Sequence, residues 1–155
     1  MTDVQIVDYS AEYGDAFARL NIEWLEKYFY VEPIDYQVLN NPQHILDEGG
    51  SILYALSSGV AIGAVALKHH GAGVYELTKM AVTDGHQGEG IGRRLLYAVI
   101  ERWHDVSGST LFLESHSSLL PALHLYESAG FVRKPRPRAS DYERSNVYMV
   151  YHGDA

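Results

Sequence analysis

The chain has 155 residues, 46% of them hydrophobic and 21% charged, and its 12 Lys+Arg against 20 Asp+Glu leave a formal net charge of −8. That length matches one domain, burying about two-thirds or more of its unfolded surface in one core, and the acidic balance argues against the basic face of a nucleic-acid binder. With no cysteine in the sequence, a disulfide scaffold, a Cys-ligated zinc site and a thiol nucleophile are excluded together.

The first ten residues, MTDVQIVDYS, lack the basic start and apolar core of a secretory signal, which points to a cytoplasmic protein. Val4 to Asp8 reads as a short strand. Ser10 then opens a helix whose apolar positions Tyr13, Phe17, Leu20, Trp24 and Tyr28 step by three and four. Asp35 to Leu46 is expected to be a second, shorter helix, interrupted by Asn40, Asn41 and Pro42. The apolar run from Ile52 to Leu67 is too short to span a membrane and is broken by Ser57, Ser58 and Gly59. It fits a hairpin: ILYAL, a turn at SSG, then VAIGAVAL. Gly71 and Gly73 mark a turn before the strand Val74 to Val82. Ile91 to Val106 is the clearest helix, with Ile91, Leu95, Ala98, Val99, Arg102, Trp103 and Val106 on one face and Gly108 as its stop. A strand from Thr110 to Glu114 follows, then a helix from Pro121 to Ala129 with proline near its start and Gly130 beyond its end. Phe131 to Arg133 and Asn146 to Tyr151 read as the last two strands, joined by a basic, proline-containing loop. Meander strands followed by alternating strands and helices predict an α/β sandwich around one sheet, a single domain over residues 1–155.

The stretch HQGEGIGRRLL, His86 to Leu96, sets three glycines before two arginines at a strand-to-helix junction. Free backbone N–H groups and the positive end of the helix dipole make such a junction an anion site, and a phosphate is its natural guest. The dinucleotide fingerprint G-x-G-x-x-G fails here, because Arg93 stands where the third glycine belongs, and the Walker sequence Gly-Lys-Ser/Thr is absent. Taken alone, such a glycine-rich stretch is more often just a turn.

What does fit is Q-x-x-G-x-G at Gln87, Gly90 and Gly92. Before it stands YELTKMAV, Tyr75 to Val82, and after it ALHLYESAGF, Ala122 to Phe131. In order and spacing these three segments resemble the motifs of the GNAT superfamily of acetyl-coenzyme A-dependent N-acyltransferases. The resemblance is firm from Val74 to Phe131, with one departure: Leu119 stands where many relatives carry asparagine. It implies the GNAT acyl-CoA N-acyltransferase fold, an α/β (α+β) architecture whose mixed, mostly antiparallel sheet of about six or seven strands is flanked by about four helices. It also implies acetyl-CoA as co-substrate, held by Met80, Ala81, Val82, Gln87, Gly88, Glu89, Gly90, Ile91, Gly92, Arg93 and Tyr126.

The resemblance also assigns chemistry. An amine is mostly ammonium at neutral pH and must lose a proton before it can attack. Glu76 is the candidate base, directly or through a water. Strict alternation would place it on one side of its strand with Val74, Thr78, Met80 and Val82, and apolar surroundings raise a carboxyl pKa. A structural salt bridge to Lys79 or Arg93 is the alternative for Glu76. Tyr126, by spacing alone a packed core tyrosine beside Ala122 and Ala129, would by resemblance reach the coenzyme sulfur and protonate the leaving thiolate. Backbone N–H groups near Met80 to Val82 would stabilise the oxyanion. Without a cysteine to acylate, direct transfer in a ternary complex is favoured.

Around this centre, Arg93 and Arg94 either reinforce the phosphate site or meet only solvent. The loop from Arg133 to Asn146 holds five of the twelve basic residues; it leans on the coenzyme, gates the acceptor, or is a plain connector. Tyr28, Tyr30 and Glu32, together with Asp35 and with Glu114, are candidates for an acceptor wall, since aromatic faces and carboxylates suit a cationic amine. His69 and His70 should point to opposite faces, and the eight histidines show no metal spacing, so no metal is expected. The expected partners are acetyl-CoA and an amine acceptor, with no nucleic acid or membrane; the resemblance also allows a homodimer. A non-catalytic acyl-CoA sensor and a protein-interaction domain remain as other readings of the same sequence.

Overall fold

The computed structural model describes residues 3–153. Its strands are β1 (Val4–Asp8), β2 (Ser51–Ser57), β3 (Val60–His69), β4 (Val74–Val82), β5 (Thr110–Ser115), β6 (Phe131–Arg133) and β7 (Val147–Tyr151). They form one seven-stranded sheet in the order β1-β2-β3-β4-β5-β7-β6. Only the β4–β5 pair is parallel, so the sheet is mixed and mostly antiparallel.

Helices α1 (Ala16–Tyr28), α2 (Pro33–Leu39) and α3 (Pro42–Asp47) cover one face of the sheet, and α4 (Ile91–Asp105) and α5 (Leu120–Ala129) cover the other. Two apolar layers result. Phe17, Leu20, Leu25 and Leu39 pack on Tyr54 and the alanines of β3, while Leu95, Leu96, Val99 and Leu123 pack on Val65, Leu77 and Leu111. Each of those fully buried leucines contributes about 1.5–3 kcal/mol relative to exposure.

Several boundaries differ from the sequence expectation for local reasons. Ser10 does start a helical turn, its hydroxyl accepting from the Glu12 N–H at 3.3 Å, but that turn ends at Tyr13 because Gly14 takes φ +60°. Helix α1 therefore begins afresh at Ala16. The expected helix from Asp35 to Leu46 is two helices, each opened by a proline: Pro33 begins α2, and Pro42, which has no N–H to continue a preceding helix, begins α3. On α4, Leu96 and Ile100 join the buried stripe. Val106, expected on it, is 40% exposed, and Arg102 leaves the core to bond Asp8 and Ser51. The left-handed residue after α4 is Ser107, at φ +56°. Gly108 is required for a different reason: any Cβ there would collide with the Trp103 indole, whose N–H donates to the Thr110 carbonyl at 3.1 Å.

The most consequential difference lies in β4. Ala66 pairs with Thr78 and Ala64 with Ala81, so Lys79 and Met80 together oppose Val65 in a β-bulge. The extra residue reverses the alternation. Tyr75 and Leu77 face the α4 layer before the bulge, and Met80 and Val82 face it afterwards. Strict alternation had placed Met80 and Val82 beside Glu76, and the bulge moves both to the opposite face.

Candidate active site

The site follows from where two parallel strands stop pairing. β4 and β5 bond through Val74–Thr110, Tyr75–Leu111 and Glu76–Phe112 only. Beyond that point β4 turns away through the Lys79 bulge, β5 stays with β7, and a cleft opens between them. Its walls carry Trp24 from α1, Glu76 and Met80 from β4, Glu114 from β5, and Ala122 and Tyr126 from α5.

At the far end of β4 lies the glycine turn. Glu23 of α1 accepts from the Thr83 hydroxyl at 2.9 Å and from the Asp84 N–H at 3.1 Å, and the Gln87 side chain folds back to the Val82 carbonyl at 3.1 Å. These bonds brace the turn from both sides. Gly88 and Gly90 take φ +85° and +79°, and Gly90 caps α4 from the left-handed region. A Cβ at either would meet nothing within 4 Å. The glycines are thus needed for backbone direction, and the turn faces open space. Among the described residues the amides of Gly88, Glu89 and Gly90 have no backbone acceptor, and those of the first α4 turn point out of the helix end. Arg93 and Arg94 are exposed on that turn. Unpaired amides, a helix N-terminus and nearby guanidinium groups fit a diphosphate.

Tyr126 is buried on α5 against Phe131, with ring centroids 6.1 Å apart, and burial pushes its phenol up to about 12. The position combines the two readings of the sequence, since the residue belongs to the core and also lines the cleft. Glu76 is buried as well. Its partner is neither Lys79 nor Arg93 but His70, whose Nε2 lies 2.9 Å from Oε1. As expected, His69 and His70 diverge: His69 stacks on Tyr75 at 4.5 Å, while His70 leans on Phe112 at 5.3 Å. Past Glu76 a second chamber opens among Ile34 and Val38 of α2, His70, Phe112 and Tyr148, roofed by the loop after β6.

That loop is no free connector. Arg144 donates to Glu32 at 2.9 Å and to both oxygens of Asp35 at 2.8 and 2.7 Å, and the Glu143 N–H also reaches Glu32 at 2.9 Å. Lys79 extends from the bulge to Asp35 at 2.5 Å, and the Asp35 carboxylate in turn accepts from the Glu32 N–H at the start of α2. One fully buried carboxylate therefore ties together α2, the β4 bulge and the loop. Burial alone would raise the Asp35 carboxyl, but the hydrogen bonds from Arg144 and Lys79 outweigh it and hold the group below its usual range. Burial pulls the Lys79 ammonium downward, and Asp35, shared with Arg144, lifts it back only in part. Tyr142 lies beneath both cations, 4.3 Å from Lys79 and 4.6 Å from Arg144, its phenol pushed up by burial and by the charges of Glu76 and Asp35.

The acceptor-wall candidates are redistributed by these bonds. Glu114 lines both the cleft and the second chamber but accepts from Arg136 and from Ser140, whereas Glu32 lies outside both cavities, held by Arg144. Tyr30 is 55% exposed with its hydroxyl on Glu143, and Tyr28 is 41% exposed with its ring 5.0 Å from Trp24. Sequence reasoning missed Lys79, Arg144, Tyr142 and His70. The Asp35 carboxylate that Lys79 and Arg144 share lies far along the chain, 44 and 109 residues away, while His70 and Glu76, six residues apart, meet because the turn between β3 and β4 folds the chain back; no local pattern signals either. Among the described residues no three His, Asp or Glu side chains gather as a metal site requires, and no helix is long and apolar enough to cross a membrane.

Residues 15–131 match the acetyltransferase (GNAT) family. No curated protein matches the sequence. Similar solved structures include a GNAT-family acetyltransferase from Staphylococcus aureus Mu50, with a TM-score of 0.87, 20% identity, and 96% of this chain and 98% of that one covered. The PaiA N-acetyltransferase of Thermoplasma acidophilum, in complex with coenzyme A, aligns with a TM-score of 0.73 at 17% identity over 96% and 98% of the two chains. The ribosomal-protein-S18-alanine N-acetyltransferase of Escherichia coli does so with a TM-score of 0.73 at 21% identity over 96% and 93%. At these identities the likeness speaks for the fold, and the family match, which spans more than half of the sequence, carries the assignment. The chain belongs to the GNAT family of acetyltransferases.

Proposed function

We propose that this protein transfers an acetyl group from acetyl-CoA to a primary amine of a small molecule or peptide, by direct attack within a ternary complex. The observation that carries the reading is the cleft where β4 and β5 part, with Glu76 on one wall, Tyr126 on another and the open glycine turn at its end. Two structural neighbours support it, one holding coenzyme A and the other an N-acetyltransferase. Acetyl-CoA, when bound, supplies an activated thioester carbonyl. The residues from Gln87 to Arg93 hold its diphosphate through backbone amides, and Met80, Ala81 and Val82 line the strand edge that leads to the reacting carbon.

Glu76 accepts the proton that an ammonium must lose before its nitrogen can attack. The N–H groups from Met80 to Val82 stabilise the negative charge that develops on the carbonyl oxygen. Tyr126 supplies a proton as the carbon–sulfur bond breaks. A phenol near 12 is a weaker acid than a free thiol at about 8.5, so Tyr126 shares its proton during bond cleavage rather than after a thiolate has formed. Proximity of the two substrates does the rest. The second chamber, with Phe112, Tyr148 and Ile34, receives the acceptor. Glu32 and Glu114 hold its walls in place through Arg144 and Arg136 rather than binding the amine themselves.

Thiol release from acetyl-CoA, followed over a panel of aromatic, aliphatic, amino-acid and peptide amines, tests the proposal. Amine-dependent release with N-acetylated product is the expected result. Coenzyme binding without release for any amine points to an acyl-CoA sensor, and no binding at all removes the reading.

A further inference from the structure

We propose that His70 is the group through which this site releases a proton to water, with Glu76 linking the acceptor nitrogen to the imidazole; this rests on the reading of Glu76 as the proton acceptor. The need follows from atom balance. An ammonium has three N–H bonds and the amide product one, so two protons leave nitrogen in each turnover. The coenzyme leaves as a thiol with the proton of Tyr126, and one of the two nitrogen protons restores that phenol. The other must reach solvent.

Glu76 is poorly placed to hand it over unaided, since its side chain is 10% exposed, against 22% for His70. The imidazole stands between the carboxylate and the outside, Nε2 at 2.9 Å from Oε1. It is not a loose surface ring. The backbone amide of His70 donates to the Val74 carbonyl at 2.8 Å across the turn joining β3 to β4, and the ring rests against Phe112. Facing it are Glu76 on β4, Lys68 on β3, Glu114 on β5, Tyr148 on β7, and Arg136, Arg138 and Asp141 on the loop after β6. Glu114 is engaged by Arg136, and the carboxylate oxygen bonded to the ring is that of Glu76.

The transfer runs in three moves. An ammonium N–H bond breaks as an O–H bond forms on Glu76. That O–H bond breaks as an N–H bond forms at Nε2 of His70. The imidazolium then gives a proton to water, returning both side chains to their starting forms with no other reactant. Imidazole suits the last move, being the side chain that exchanges protons with water near neutral pH.

The test compares wild type with His70→Ala, His70→Gln and Glu76→Gln, using the amine that the panel selects, between about pH 5.5 and 9. His70→Ala should lower kcat at pH 7 by about tenfold to a hundredfold with the KM for acetyl-CoA unchanged. The deficit should shrink as pH rises, and added imidazole should restore part of the rate. His70→Gln, which keeps a hydrogen-bonding group beside Glu76 but cannot carry a proton, should be equally slow and serves if the alanine variant does not fold. Wild-type rates and profile in either variant, or a loss that is the same at every pH and untouched by imidazole, overturn the relay. Full activity of Glu76→Gln would overturn the role of Glu76 instead. Independently of turnover, the ¹⁵N shifts of the His70 ring, which report the nitrogen that carries the proton, should differ between wild type and Glu76→Gln. Identical shifts would mean that the two groups are not coupled, and the relay falls.

Discussion

Tyr126 belongs to the core, where its ring packs with Leu123 and Phe131, and also lines the cleft. Replacing it by phenylalanine keeps nearly all of that packing and removes only the hydroxyl, so coenzyme affinity should stay within about twofold while kcat falls by roughly a hundredfold. Steady-state kinetics beside calorimetric titration of acetyl-CoA separates the two, and an unchanged kcat would leave Tyr126 a core residue only. Lys79 is the other telling position. It adopts φ +57°, a region that costs a non-glycine side chain about 1–2 kcal/mol, and its buried bond to Asp35 holds it there.

At the scale of elements, the loop between β6 and β7 behaves as a strap. Two of its arginines fasten it, Arg136 to Glu114 on β5 and Arg144 to Glu32 and Asp35 at the start of α2. Removing Arg144 leaves Glu32 without its cation and Asp35 with Lys79 alone, so Arg144→Ala should lose about 3–5 kcal/mol in urea denaturation at neutral pH. Acid probes the same cluster. The Asp35 carboxyl sits below its ordinary value of 3.8 in the folded chain. The folded state therefore prefers the ionised group, and this stabilisation is fully present above the unfolded value and lost as pH falls through the folded one. Wild-type stability should drop below about pH 4, and Arg144→Ala, which already lacks the strongest donor to Asp35, should show a smaller drop. A parallel fall in both proteins would show that Asp35 is not the group being titrated.

For the whole molecule, the net charge of −8 disfavours a polyanionic coenzyme at long range, so binding must come from a local, oriented site at the helix end. Acetyl-CoA at a hundred times its Kd should add about 2.7 kcal/mol to the folded state. For a chain of this length that raises Tm by about 5–10 °C. Thermal unfolding with and without the coenzyme checks this, and no rise would argue that the glycine turn is only a turn. The cleft and the second chamber meet at Glu76, so in the proposed reaction coenzyme and acceptor would reach that residue from different sides. A ternary complex suits that geometry.

Much of this was legible in the chain itself, because it rests on short-range pattern. Period-two and period-3.6 apolar spacing located the strands and most helices, and the three segments YELTKMAV, Gln87 to Gly92 and ALHLYESAGF, in order and spacing, pointed to the family. Where a glycine or proline carries its conformational effect locally, as at Gly90, the sequence speaks plainly, although at Gly14 and Pro33 its consequence for the helix starts was passed over. The bulge at Lys79 was not legible. Nothing in YELTKMAV departs from an ordinary strand, and the reversal of Met80 and Val82 is fixed by pairing with β3. The Asp35 cluster depends likewise on segments that meet only when the sheet is assembled, and the His70–Glu76 contact, six residues apart, depends on the path of the turn between β3 and β4. Local propensity and spacing thus determined the elements and the glycine turn, whereas the buried charges and the partner of Glu76 were decided by the tertiary structure, since burial, strand register and the path of the chain bring within bonding distance groups that no local pattern pairs.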